Sequence, residues 1–293
     1  MIIRRNENWF RMLLMWHGSV LPTILPQLAL MLALSVFAMY VQRVPLEMAP
    51  FSLLGVSLAI FLAFRNNASY QRYLEARQLW GSILVSGRAL VSQSLAYLPT
   101  SGDGQRLAAH RVIVFAHLLR HQLRGSDPRE DIERLLGAQA AEALQHQAYQ
   151  PVAMLHELRS TMKGEADSQV LWMLDAQLNA LGNAVGGCER IASTPIPYPY
   201  AVLLHRTIYL YCFLLPFGLV HAIGAATPIM SVFVAYTLFA LEAIAQEIGD
   251  PFGTAPNSLA LEAMCRTIER SLLELCGDPL PPELAVGKDY RIN

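Results

Sequence analysis

The stretch Leu21–Val41, LPTILPQLALMLALSVFAMYV, carries no charged side chain in 21 consecutive positions. Wound as an α-helix it would reach about 31 Å, enough to cross a hydrocarbon core of roughly 30 Å. A second charge-free run, Met48 to Phe64, follows a short connection that holds Arg43, Pro45 and Glu47. It leads into Arg65-Asn66-Asn67 without a helix breaker, so the second helix is expected to continue past the membrane. A third run, Thr207 to Leu241, has 35 residues without a charge and is divided by the turn-like Ala222 to Pro228. It reads as a helical hairpin. Two independent spans would call for about 40 apolar residues, so Arg206 and Glu242 must sit at the hydrocarbon boundary or be shielded by protein. Shielding by neighbouring helices argues for an oligomer.

Composition agrees with an apolar solvent. The 293 residues are 54% hydrophobic and 15% charged, against about 25% charged for an ordinary soluble domain. A net charge of -1 leaves no basic excess to neutralise phosphates, which excludes a nucleic-acid partner. Four spans at about 21–41, 48–64, 201–221 and 228–246 follow. The two short connections then hold only Arg43 of the 22 basic residues. Lysine and arginine are retained on the cytoplasmic side of short loops, so both termini and the central region are placed in the cytoplasm.

That central region, Arg65 to Tyr200, has ordinary charge density and apolar residues at helical spacing, such as Leu79, Ile83, Leu84 and Leu90. It reads as a soluble helical domain. Breaks at Pro99–Gly102, Gly125–Pro128, Gln150-Pro151 and Lys163-Gly164 divide it into four or five helices. Ser193 to Tyr200, with three prolines, is expected to be an extended re-entry to the membrane. After the fourth span, Asp250-Pro251-Phe252-Gly253 ends the helix and Leu259 to Leu275 forms an amphipathic one. The resulting division is an interfacial N-terminal helix over 1–20, spans one and two over 21–64, the cytoplasmic domain over 65–200, spans three and four over 201–248, and a cytoplasmic C-terminal segment over 249–293. The N-terminal 20 residues start with a cationic stretch but lack a small-x-small cleavage site, and are expected to stay in the mature chain. Trp9 and Trp16 beside basic residues fit a helix lying at the membrane interface or packed on the soluble domain.

Chemistry-bearing motifs are sparse. Cys188, Cys212, Cys265 and Cys276 show no CxxC spacing and read as free thiols. His117 and His121 stand four apart, a metal-capable spacing, but no carboxylate or cysteine accompanies them at a fitting offset. Nucleophile-elbow, Walker, dinucleotide and HExxH patterns are absent, so neither an enzyme nor a cofactor is expected. Glu242, Glu247 and Asp250 fall at helical spacing where an acidic side chain needs a partner or water; a contact to the soluble domain, to Arg65 or to Arg72 is expected, with a place already outside the hydrocarbon an equal reading for Glu247 and Asp250.

Four strings in order, FLAFRNNASY at 61–70, EARQLWG at 75–81, GCERIASTP at 187–195 and DPFG at 250–253, resemble the bestrophin family in its bacterial branch. The resemblance spans nearly the whole chain. It implies an all-α integral membrane protein with four transmembrane helices and a cytoplasmic helical domain, assembled as a pentamer around one central pore in the bacterial inner membrane. The second helix would then line the pore. Val56, Ile60 and Phe64 recur every fourth residue and form one apolar ridge, which by resemblance matches the family's hydrophobic neck. On its own, the ridge could equally face lipid or another helix. The resemblance also implies a second narrowing at the cytoplasmic end of the pore, placed near Val170. Animal members have an acidic run after Pro-Phe-Gly that helps bind calcium; here Thr254 to Leu259 has no acid, and calcium activation is not expected.

The expected function is thus a passive channel for small monovalent ions, leaning to cations such as sodium by resemblance, with a chloride channel of the same architecture as the alternative. A secondary transporter is the rival from another class, but no internal repeat supports it.

Overall fold

The computed structural model describes residues 16, 18–41, 46–99, 102–285 and 287. Among these residues the regular structure is entirely helical. The helices are α1 (Leu21–Val41), α2 (Met48–Tyr97), α3 (Gly102–Arg124), α4 (Arg129–Leu136), α5 (Ala138–Gln145), α6 (Gln150–Glu165), α7 (Ser168–Ser193), α8 (Tyr198–Ile223), α9 (Thr227–Gly249) and α10 (Leu261–Cys276). The described residues divide into two compact units, one built from those up to Tyr73 together with Pro195–Pro251, the other from those between Leu74 and Thr194 and from Phe252 onward.

In the apolar unit, α1, α8 and α9 pack on one another around Leu28, Met31, Phe51, Leu58, Leu62, Ile208, Leu215 and Phe239. Backbone and hydroxyl groups without water must be satisfied internally, and the buried Ser35 hydroxyl donates to the Met31 carbonyl at 2.8 Å. Three stretches have the length and apolar composition to cross a membrane: α1, the α2 segment from Ala49, and the 52-residue Tyr198–Gly249. The last is a hairpin whose connection is only the 3-10 turn Gly224–Ala226. Gly224 has φ +54, a conformation that suits glycine, and Pro228 lies in the first turn of α9, where a missing N–H costs nothing.

Helix α2 has 50 residues, or roughly 75 Å at 1.5 Å per residue. No proline or cap interrupts the passage from Phe64 through Arg65 to Tyr97, which is the continuation expected from the sequence. The extended segment expected at 193–200 is shorter than that. Helix α7 reaches Ser193 and α8 already starts at Tyr198, because Pro199 occupies the first turn of α8 rather than breaking it.

The second unit is organised around α3, which packs against α4, α6, α7 and α10. Its residues Val112, Ile113, Val114, Phe115, Ala116, Leu118 and Leu119 are all buried. A helical run buried on every side belongs in a core, and this middle stretch of α3 fills that place. Gly137, at φ +87, separates α4 from α5, a break that nothing but a lone glycine marks in the sequence. Gly187 of α7 lies so near Leu79 of α2 that an added Cβ would come within 2.7 Å of it, so the glycine permits that close approach. Trp9 lies outside the described residues, whereas Trp16 is exposed.

Candidate pore-lining ridge and polar sites

Helix α2 presents two opposed faces in its apolar half. Phe51, Leu58 and Leu62 are buried in the unit's core, so the face four-residue spacing assigns to them is already occupied. Val56, Ile60 and Phe64 lie on the other side, 60%, 51% and 65% exposed. Leu53 extends the same bare strip. A closely packed partner sits behind it: an added Cβ on Gly55 would come within 2.9 Å of the Tyr211 hydroxyl, so the glycine lets α8 approach the backbone of α2. The ridge is therefore carried on a helix whose opposite face is packed, with its apolar side chains largely exposed.

At the C-terminal end of the ridge, Arg65 turns inward and is buried. Its Nη1 lies 3.4 Å from Oε1 of the buried Glu242, and His205 Nδ1 lies 2.8 Å from the same oxygen. Arg72 Nε donates to the Gly249 carbonyl at 3.1 Å. Arg65 and Arg72 are thus both used along α9, Arg65 by a carboxylate and Arg72 by a helix-end carbonyl. A cleft of about 590 Å³ opens beside this group, reaching Arg206 and Asp250. His205 is the member that sequence reading missed; its position two residues ahead of the charge-free run carried no signal. Removing one partner of a buried pair leaves an uncompensated charge. Glu242→Leu is accordingly expected to lower stability by about 3–5 kcal/mol, seen as an early thermal transition of the purified protein, and Arg65→Leu with Glu242→Leu to recover most of the loss. A Glu242→Leu variant as stable as the parent would show that the pair compensates nothing.

Val170 sits in the first turn of α7 and is half-buried. Asp167 caps that turn, its carboxylate accepting from the backbone N–H groups of Gln169 and Val170 at 2.9 Å each. Val170 and the ridge belong to different units.

A family model described as "Bacterial/Fungal Bestrophin protein" matches residues 1–274. The chain belongs to this bestrophin family. Its relatives include the voltage-dependent anion channel-forming protein of Ralstonia nicotianae, 46% identical with all of both chains covered, and the protein of that description in Escherichia coli K12, 36% identical, again over all of both chains. A crystal structure of a bacterial bestrophin homologue from Klebsiella pneumoniae superposes with a TM-score of 0.85 at 40% identity, covering 87% of this chain and 99% of that one. The protein is therefore a membrane protein of an ion-channel family.

In this bestrophin the second unit holds a polar network in its interior. His117 of α3 is buried with Nδ1 3.2 Å from Asp131 of α4 and Nε2 3.5 Å from Glu269 of α10, although neither ring nitrogen makes a well-aligned hydrogen bond. His121 and Arg120 also reach Asp131, at 3.0 and 2.7 Å, and Arg134 pairs with the fully buried Glu269. Burial by itself would lower the pKa of His117, but the Asp131 and Glu269 carboxylates outweigh it and raise the value. Burial would raise both acids; contact with His117 and His121 for Asp131, and with His117 and Arg134 for Glu269, brings them down, Glu269 to about 2. The carboxylates missing near His117 and His121 in sequence thus arrive from 10 to 152 positions away along the chain. They are engaged by arginines, and no group of three or more metal-binding side chains is arranged around an ion among the described residues. At the bestrophin DPFG string, Arg124 donates to the carbonyls of Phe252 and Leu259 at 3.4 and 3.1 Å.

Proposed function

We propose that the chain is one subunit of a passive, pentameric ion channel in the bacterial inner membrane. Four spans, namely α1, the first part of α2, α8 and α9, would cross the bilayer with both termini and the α3–α7 unit in the cytoplasm, as the distribution of basic residues favours. Copies of α2 would surround one pore, with Val56, Ile60 and Phe64 as stacked apolar rings and Val170 at a second, cytoplasmic narrowing. The observation that carries this reading is the bare apolar ridge on a helix whose opposite face is buried, in a member of an ion-channel family. A ring of such side chains stops ions by dewetting when narrow and passes them when slightly wider.

For the sign of the permeating ion, the relatives' names carry the anion reading, against the lean to sodium from the sequence. The neck rings are uncharged and do not choose. We adopt monovalent anions such as chloride. Unitary currents of the purified protein in planar bilayers under a tenfold potassium chloride gradient test both statements: the reversal potential is expected near the chloride equilibrium value. A reversal at the potassium value would restore the cation reading, and carrier-like flux without unitary steps would remove the channel itself.

A further inference from the structure

Sequence reading leaves two charges at the edges of the apolar hairpin, Arg206 and Glu242. The fold treats them differently. Glu242 is buried and matched by Arg65 and His205. Arg206 is exposed and makes no ion pair among the described residues. It stands at the mouth of an apolar groove of about 470 Å³ between α1 and α8, whose walls include Leu30, Leu34, Leu210 and Phe213. From Arg206 to Phe213 the groove follows α8 for two turns, roughly 10 Å. An unpaired guanidinium at the boundary of a span seeks an anion there, and a basic side chain beside a slot between spanning helices suits a lipid phosphate.

We infer that this groove holds a phospholipid, its acyl chain along Leu34, Leu210 and Phe213 and its phosphodiester on the Arg206 guanidinium. The planar fork of arginine can give two parallel N–H donors to two phosphate oxygens. The groove supplies what a free anion cannot use, an apolar channel continuous with the charge. The inference rests on reading α1 and α8 as bilayer spans.

The test is native mass spectrometry of the full-length oligomer in detergent with added dioleoylphosphatidylglycerol. Wild type is expected to retain the lipid, and Arg206→Gln to retain about tenfold less, the loss expected for a charge-assisted hydrogen bond. Leu34→Trp, which fills the groove and leaves the charge, is expected to reduce binding too, and Lys163→Gln, in the other unit, to leave it unchanged. Equal retention by Arg206→Gln overturns the assignment, as does displacement of the lipid by glycerol phosphate, which would mark a plain anion site. An intact, conducting oligomer that retains no lipid would overturn the groove's occupant alone; absence of currents would instead strike the channel reading.

Discussion

Replacing Val56, Ile60 and Phe64 together by alanine is expected to raise open probability or unitary conductance by about an order of magnitude. Three exposed apolar side chains on one ridge are removed, while Leu58 and Leu62 on the packed side keep α2 in the core. The change therefore falls on the bare face and leaves folding largely untouched. Widening and wetting an apolar constriction lowers the barrier to a hydrated ion, and each 1.4 kcal/mol is tenfold in rate. Replacement of Leu53 alone, on the same strip, should do less. Unchanged currents in the triple variant would remove the ridge from the gate and leave it as a lipid-facing or helix-packing surface.

Glu269→Ala is expected to cost about 3–5 kcal/mol of stability in the second unit, because it leaves buried His117 and partly buried Arg134 facing no charge on that side. The same network gives a pH signature. Glu269 titrates lower folded than unfolded, so its contribution is present above the ordinary value of 4.5 and is lost as pH falls toward about 2. His117 titrates higher folded than unfolded, so its contribution is present below 6.5 and fades as pH rises through the raised value. In thermal unfolding the detergent-purified protein should then be most stable between these two limits. His117→Gln should flatten the alkaline side and Glu269→Gln the acid side. Equal melting temperatures for Glu269→Ala and the parent would show that the network contributes nothing to the fold.

Local pattern was enough for much of this protein. Charge-free length identified the apolar segments, since a run such as Leu21–Val41 has no other solvent in which it is stable. The uninterrupted passage from Phe64 into Arg65 showed that α2 would not stop, because nothing in the backbone asks it to. Four-residue spacing put Val56, Ile60 and Phe64 on one ridge. Proline chemistry was read less well: the same residue that breaks a helix interior starts a helix at its first turn, and Pro199 does the second.

The partners were another matter. That Glu242 meets Arg65 and His205 while Arg206 pairs with no acid among the described residues depends on how α2, α8 and α9 are rotated about their axes, and hydropathy says nothing of rotation. That His117 lies between Asp131 and Glu269 depends on α4, just after α3 in the chain, and α10, far along it, both closing on α3. Spacing within a helix is set by covalent geometry and is written in the sequence; contact between helices is set by packing of whole faces, and only the folded chain decides it.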